Sequence, residues 1–382
     1  MCPLGTKDVM TKPPPVRIAL LGAGAIMRLS HAPTIRRSAD VELAAIFDVD
    51  AGRAEALARD FEVPFHTTNI SAVLEAKDID AVIVATPNLF HPEAVLAAAA
   101  AGKHVLCEKP LAIDVASAQR MVEACETAGV ILQVGFNQRY WPQVQIAKQL
   151  VESGFIGEVK AFRSVYSERW NVYPATTRYR YDLAKSGGAT IIDLAIHRID
   201  LSRYLLGDIG AVFGELTHSV IPDRVDDNVW LLVRFKSDAR GCLSSDRYSP
   251  AIADGTDLYG SEGTIHFVTE TINPFHGTPL AVYTEKKGKD LPDILSEACY
   301  PDAWWKGFEG GWIPIRPARR SPYDAQLAAF CLAIREGNSQ IPTGVDGLRA
   351  QEVVQAAYQS VDQGRWIELP IPIDTPYTIP TY

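Results

Sequence analysis

The sequence predicts an α/β protein in two parts: an N-terminal doubly wound parallel sheet, then an α+β domain with an open, mainly antiparallel sheet. Three observations predict it. From Val16 onward, short apolar runs alternate with helical stretches, the pattern of a parallel sheet covered by helices on both faces. The first run, Val16–Leu21, opens into a glycine turn at Gly22 and Gly24. After Gly135 the rhythm changes, and strand follows strand from 211 to 268, which implies antiparallel pairing in a second domain.

Taken in order, residues 1–15 end in Pro13-Pro14-Pro15 and lack the apolar core of a signal peptide, so they read as a loose arm. Strands are expected near 16–21, 41–47, 80–85, 103–107 and 130–135. The alanine-rich run from Ala94 to Ala101 favours helix, and Asp114 has the chemistry of an N-cap for a helix that runs to Ala128 and stops at Gly129. This first domain spans 16–140. The second, 141–382, begins with a helix near 142–153 and a strand near 157–167. A polar aromatic loop leads to a helix at about 188–206, followed by the alternating strands. Residues 270–320, rich in Pro, Gly and Trp with weak periodicity, are expected to be long loops. Helices near 322–336 and 346–363 complete the chain.

A chain of 382 residues with 47% hydrophobic composition can bury two cores. The formal charge of −9, from 46 acidic and 37 basic residues without long runs of either sign, argues against a nucleic-acid surface. No segment reaches ~18 uninterrupted apolar residues, so no membrane span is expected. The six cysteines show no CxxC and no metal-ligand spacing with histidine, which favours a reducing cytoplasm and no bound metal. An open antiparallel sheet leaves one face available, so a homodimer or homotetramer through the C-terminal sheet is expected.

A glycine turn between a first strand and a helix lets backbone N–H groups approach a pyrophosphate, as in the Rossmann fold. Gly22 and Gly24 fill that need, with Ala25 and Ile26 opening the helix. Met27 stands where a small residue is usual, so helix and strand are expected to pack less closely there. Asp48 ends the second strand about 20 residues past the turn, where a carboxylate can accept hydrogen bonds from ribose hydroxyls or simply cap the next turn. The ribose contact favours NAD, while Arg53 and Arg36 leave NADP open. Thr86, Pro87, Asn88 and His91 follow the next strand and are expected to line the crevice, although Asn88 or His91 could serve only as helix caps.

Two further clusters carry chemistry. Glu108-Lys109-Pro110 ends a strand, and Asp193 and His197 stand four residues apart on one predicted helix, so they project from the same face. Oxidising a secondary alcohol needs a base near neutrality and a cation beside the developing alkoxide, which suits His197 and Lys109. Asp193 could orient the imidazole, hold a substrate hydroxyl or share the proton. Gly187 and Gly188 would give close approach at the start of that helix. The loop 166–182, with Tyr166, Trp170, Arg178, Tyr179 and Tyr181, is expected to set substrate selectivity. The tryptophans Trp304, Trp305 and Trp312 fit core or subunit packing better than sugar stacking.

The stretch Asp80–Asn88 with His91, the run Gly102–Pro110, and Asp193 with His197 resemble the Gfo/Idh/MocA family, which includes glucose–fructose oxidoreductases and inositol dehydrogenases. The resemblance covers roughly 16–268 and 322–370, with Thr343–Leu348 and Gly364–Trp366 also similar. It implies an NAD(P)-dependent dehydrogenase or reductase of a sugar or cyclitol. By that resemblance Lys109 is the catalytic lysine, Glu108 and Pro110 shape the strand end, and Asp193 and His197 are the acid/base pair. Asn137, Gln138 and Asp200 would face substrate or nicotinamide. Relatives that cleave glycosides through transient oxidation, or that only sense sugars, are the alternatives; intact Lys109, Asp193 and His197 speak against a sensor.

Overall fold

In a computed structural model the described residues are 13–169, 179–180, 182–220, 225–249, 253–269, 278–295, 307–337 and 341–380. The first sheet contains β1 (Val16–Leu21), β2 (Val41–Phe47), β3 (His66–Thr67), β4 (Ala81–Val84), β5 (His104–Cys107) and β6 (Leu132–Val134). Its order is β3-β2-β1-β4-β5-β6, and neighbouring strands run parallel. The central strands β1 and β4 are almost wholly buried because helices cover both faces. Those helices are α1 (Ala32–Arg37), α2 (Ala51–Phe61), α3 (Ile70–Leu74), α4 (His91–Ala100) and α5 (Val115–Ala128). Asp114 caps α5 as expected, accepting from Ser117 N at 2.7 Å, and Gly129 ends it with φ 66°. The strand order reverses between β1 and β4, which opens a crevice at their carboxyl ends. Strand β3 was not expected, since two residues are too short to show a period.

The second domain begins with α6 (Pro142–Glu152) and β7 (Val159–Ser167), followed by α7 (Leu183–Ser186) and α8 (Ile196–Leu206). Then come β8 (Ile209–Thr217), β9 (Asn228–Phe235), β10 (Arg240–Asp246), β11 (Ala253–Gly260), β12 (Gly263–Phe267), β13 (Leu280–Thr284) and β14 (Gly311–Ile315). The chain finishes with α9 (Pro322–Glu336), α10 (Gly344–Gln363) and β15 (Ile367–Glu368). The nine-stranded sheet has the order β14-β13-β12-β11-β7-β10-β9-β8-β15; β7 and β10 pair in parallel and the other pairings are antiparallel.

Two expectations need correction. The segment 270–320, read as loop, contributes β13 and β14. Their alternation is real but short: Leu280, Val282, Ile313 and Ile315 face inward, and Tyr283 and Trp312 face out. Trp304 and Trp305 lie outside the described residues. Helix α9, assigned by sequence to the second domain, instead packs Leu327, Phe330 and Cys331 into the core beside Ile18, Leu20 and Met27 of the first. Its apolar stripe has nowhere else to bury, so the chain returns across the boundary at 140. The outer face of the large sheet shows exposed Trp230, Leu232 and Trp312.

Candidate active site

The glycine turn after β1 is tightly determined. Gly22 has φ 108°, and a Cβ there would come within 2.8 Å of the Ala85 carbonyl oxygen, so only glycine fits without strain. At Gly24 a Cβ would meet nothing within 4 Å, which leaves open space in front of the backbone. Asp48 braces the turn from β2: its carboxylate accepts from Ala23 N at 2.7 Å and from Asp50 N at 2.9 Å. Those two bonds leave lone pairs for a ribose. Met27 is fully buried in the first core, and the helix accommodates it by widening into a π-turn over Met27–His31 before α1.

From this turn a cleft of about 240 Å³ runs between the domains; its walls include Ile26, Thr86, Asn88, Lys109, Asn137 and His197. Asn88 donates to the carbonyl of Ser186 at 2.8 Å and so ties the two domains together. His91 also lines the cleft. Its ring nitrogens face the carbonyls of Pro110 at 2.8 Å and Thr86 at 2.9 Å, so its polar atoms pin two loops. Glu108 hydrogen-bonds with His31 Nε2 at 2.8 Å and accepts from its neighbour's amide, Lys109 N, at 3.2 Å. Burial opposes ionisation of Glu108, but His31 and Lys109 hold it below the usual carboxylate range.

The helix carrying Asp193 and His197 starts unusually. Gly187 and Gly188 have φ 75° and 137°, and a Cβ on either would strike Ile113 or the Tyr358 hydroxyl at 2.5 Å. The next residues form a π-turn, Ile191–Ala195, that runs into α8. Asp226, two residues before β9, caps it: the carboxylate accepts from Ala189 N at 3.0 Å, Ile191 N at 2.8 Å and the Tyr358 hydroxyl at 2.8 Å. No pattern along the helix itself announces this cap, because it comes from a distant strand.

The structure brings Lys109, Asp193 and His197 together. Lys109 Nζ donates to the Asp193 carboxylate at 2.7 Å and to the Asp193 backbone carbonyl at 2.8 Å. Two residues that the sequence left out complete the cluster: Arg180 reaches Asp193 at 3.4 Å, and Arg247 makes a short contact with its other oxygen. Arg247 also lies 3.5 Å from Glu168, which accepts from the Tyr166 hydroxyl at 3.0 Å. Burial alone would raise the Asp193 pKa, but Lys109, Arg180 and Arg247 hold it well below the carboxylate range. Asp193 is therefore ionised, with its oxygens turned to cations rather than to the imidazole. His197 is buried beside Lys109, and both influences hold its ring well below the ordinary histidine pKa. Its Nδ1 is buried with no hydrogen-bond partner among the described residues, and the rings of Tyr166 and Phe136 meet it edge-on.

Of the residues expected to face substrate, Asn137 lines the cleft. Gln138 does not: it is buried behind the wall. Asp200 is also corrected, because one turn further along α8 it points into the protein and accepts from Arg139 at 2.8 and 2.5 Å. Trp170 and Tyr181 lie outside the described residues. Tyr179 and Tyr323 line the cleft, and neither Tyr323 nor His31 was anticipated.

Comparison with known proteins agrees with this geometry. Residues 16–136 match the oxidoreductase family model described as an NAD-binding Rossmann fold, and residues 144–266 match the GFO/IDH/MocA C-terminal domain. The chain belongs to the Gfo/Idh/MocA family. Among relatives of this family, levoglucosan dehydrogenase of Pseudarthrobacter phenanthrenivorans is 30% identical over 344 residues, covering 82% of this chain and 86% of that protein. Inositol 2-dehydrogenase of Rhizobium meliloti is 29% identical over 359 residues, covering 93% and 99%. A solved structure of levoglucosan dehydrogenase in complex with NADH and levoglucosan superposes with a TM-score of 0.78 at 26% identity, covering 93% of this chain and 100% of that one.

Proposed function

We infer that the protein is an NAD-dependent dehydrogenase that moves a hydride between nicotinamide and a secondary hydroxyl or ketone of a sugar or cyclitol. The observation that carries this reading is that Lys109 and His197 line one cleft together with Ile26, just past the glycine turn, while Asp193 holds the Lys109 ammonium. The residues fit the cofactor: the space at Gly24 is clear for a pyrophosphate, and Asp48 stands at the end of β2 for the ribose. Bound NAD supplies the hydride acceptor at its nicotinamide ring.

The chain's own groups handle the oxygen and the proton. His197 is held neutral and so can take the carbinol proton at Nε2, with the hydrogen of the neutral ring on Nδ1. Lys109 spends two N–H donors on Asp193 and has a third for the substrate oxygen, where negative charge develops as the proton leaves. Asp193 anchors that ammonium and does not itself share the proton. Tyr179, which lines the cleft, supports a role for this part of the chain in substrate choice. In the reverse direction the same groups return the proton to a ketone.

Among the described residues no helix is long and apolar enough to cross a membrane. Residence in the cytoplasm remains the reading favoured by cysteine usage. The exposed Trp230, Leu232 and Trp312 support a homo-oligomer formed through the outer face of the large sheet. The test of function is absorbance at the reduced-nicotinamide band during a screen of monosaccharides, cyclitols and anhydrosugars with NAD and NADP. Reduced cofactor with an oxidised ring product is expected; free sugar released from a glycoside without net reduced cofactor would favour the glycoside-cleaving alternative.

A further inference from the structure

We propose that Arg198 is a positioning residue for the polyol reaction: from behind the cleft wall it holds the Tyr166 ring against the imidazole of His197. This deepens the functional reading above and rests on it.

The first support is an ion pair that stability does not explain. Arg198 follows His197 on α8, does not line the cleft and is fully buried. Its Nη2 donates to the Asp254 carboxylate of β11 at 2.6 Å and to the Thr269 hydroxyl at 3.1 Å. Asp254 also accepts from Thr269 N at 2.7 Å and from the Thr269 hydroxyl at 2.9 Å, and its side chain is as dry as that of Arg198. The Nε and Nη1 groups of Arg198 have no hydrogen-bond partner among the described residues. A buried pair gains little over apolar side chains of the same volume, and each N–H left without an acceptor adds a desolvation cost.

The second support is what the guanidinium covers. Its carbon lies over the Tyr166 ring, 4.6 Å from the centroid, and a flat cation on a dry aromatic face is a directed contact. Tyr166, on β7, lines the cleft and meets His197 edge-on, with centroids 6.1 Å apart and planes at 89°. Phe136 meets the imidazole from the other domain at 6.5 Å. Because Nδ1 of His197 has no hydrogen-bond partner among the described residues, these two rings set the imidazole's orientation. Tyr166 is fixed in turn by its hydroxyl on Glu168 and by Arg198 on its face.

The third support is charge. The groups facing His197 are Lys109 from the end of β5, Asp193 one turn earlier on its own helix, Tyr166 from β7 and Arg198. Arg180 and Arg247 act on Asp193, with Glu168 beyond Arg247. Arg198 therefore adds to Lys109 in keeping the imidazole neutral.

The test measures kcat, KM and the pH dependence of kcat/KM under saturating NAD, with whichever of D-glucose, D-galactose and myo-inositol turns over fastest. Thermal unfolding and NADH affinity accompany each variant. Arg198→Met with Asp254→Leu replaces the pair by apolar groups and should fold. Its kcat should fall by about tenfold or more with KM and NADH affinity near wild type, and its acid limb should move up by roughly half a pH unit, because a cation that disfavoured imidazolium is gone. Arg198→Lys keeps the charge but not the flat fork, so its acid limb should stay in place while kcat falls about threefold. In a Tyr166→Leu background, removing the pair should cost no more than about twofold further, since the ring through which it acts is absent. A folded pair variant with wild-type kcat and acid limb overturns the proposal, as does an undiminished loss in the Tyr166→Leu background. If the pair variant does not fold, Arg198→Lys decides, and wild-type kcat there overturns the proposal. All these failures leave polyol oxidation standing; if the full screen of ring polyols yields no reduced NAD, the functional reading falls and this proposal with it.

Discussion

Asp193→Asn separates an anchoring carboxylate from one that trades protons. In the wild type, three cations converge on Asp193, and its side chain is nine-tenths buried. Asparagine keeps the shape, removes the negative charge and turns N–H groups toward donors. Leaving buried cations without their counter-charge costs about 3–5 kcal/mol. For 382 residues, an unfolding entropy near 2.1 cal/mol/K per residue gives about 0.8 kcal/mol/K, so Tm should fall by roughly 4–6 °C. Turnover should fall by about 10²–10³, because Lys109 loses both its neighbour's charge and its fixed position. Calorimetry and NADH formation measure the two effects. Adding Lys109→Met to Asp193→Asn removes one stranded cation, so the double variant should be more stable than the two single losses summed. The pH dependence supplies a further check. The Asp193 pKa is depressed, so its stabilisation is present above the unfolded carboxylate value of about 3.9 and is lost only as pH falls through the folded value. The acid limb of kcat/KM then belongs to His197, survives in Asp193→Asn and moves to lower pH, since an anion that favoured imidazolium is gone. An unchanged Tm, or an acid limb that vanishes, would refute the anchoring role.

Three other perturbations probe the rest of the site. His197→Ala should lower turnover by about 10²–10⁴ while NADH still binds, as read by cofactor fluorescence; near-normal rates would discard the base. Gly22→Ala should weaken NADH binding and cost about 1–3 kcal/mol by thermal unfolding, because its φ of 108° and the Ala85 carbonyl at 2.8 Å leave no place for a methyl. Wild-type stability and affinity there would mean that the turn relaxes. Asp200→Asn should destabilise the protein, since it leaves buried Arg139 with Asp346 as its remaining counter-charge, and should leave the substrate KM near wild type. A large rise in KM with an unchanged Tm would return Asp200 to the substrate wall.

The proposed catalytic residues were legible because each sits at a place that local rules mark: a strand end for Lys109, and i and i+4 on one helix for Asp193 and His197. The parallel sheet was legible for the same reason, since apolar runs, glycine turns and caps such as Asp114 are local. What escaped depends on contacts between distant segments. Arg247 looks like an ordinary end of a strand until folding places it behind Asp193. His91 lines the crevice, yet nothing local shows that the carbonyls of Pro110 and Thr86 take its ring nitrogens. Asp200 shares the register of a substrate face in sequence, yet the helix turns it toward Arg139. The strands β13 and β14 were hidden because five residues each give too few alternations to stand out, and β14 also holds Gly, Trp and Pro.

The cap at Asp226 bears on why this site can stay rigid although it begins with two glycines. A pair of glycines gives the backbone the close approach it needs against Ile113 and Tyr358 but supplies no stiffness of its own. The stiffness comes from one carboxylate that ties Ala189 N, Ile191 N and the Tyr358 hydroxyl together, joining the segment before β9, the start of the Asp193 helix and α10. Burial raises the Asp226 pKa against those donors, so part of the benefit is spent on keeping it charged. Asp226→Ala removes three hydrogen bonds and leaves two helix N–H groups buried; at about 1–3 kcal/mol each, Tm should fall by roughly 3–7 °C. The helix start should then loosen and carry His197 and Asp193 with it. Turnover should accordingly drop by tenfold or more while NADH affinity, set at the other end of the cleft, stays near wild type. A lowered Tm with full turnover would show that the cap only holds the fold and that the catalytic groups are positioned by the ion cluster alone.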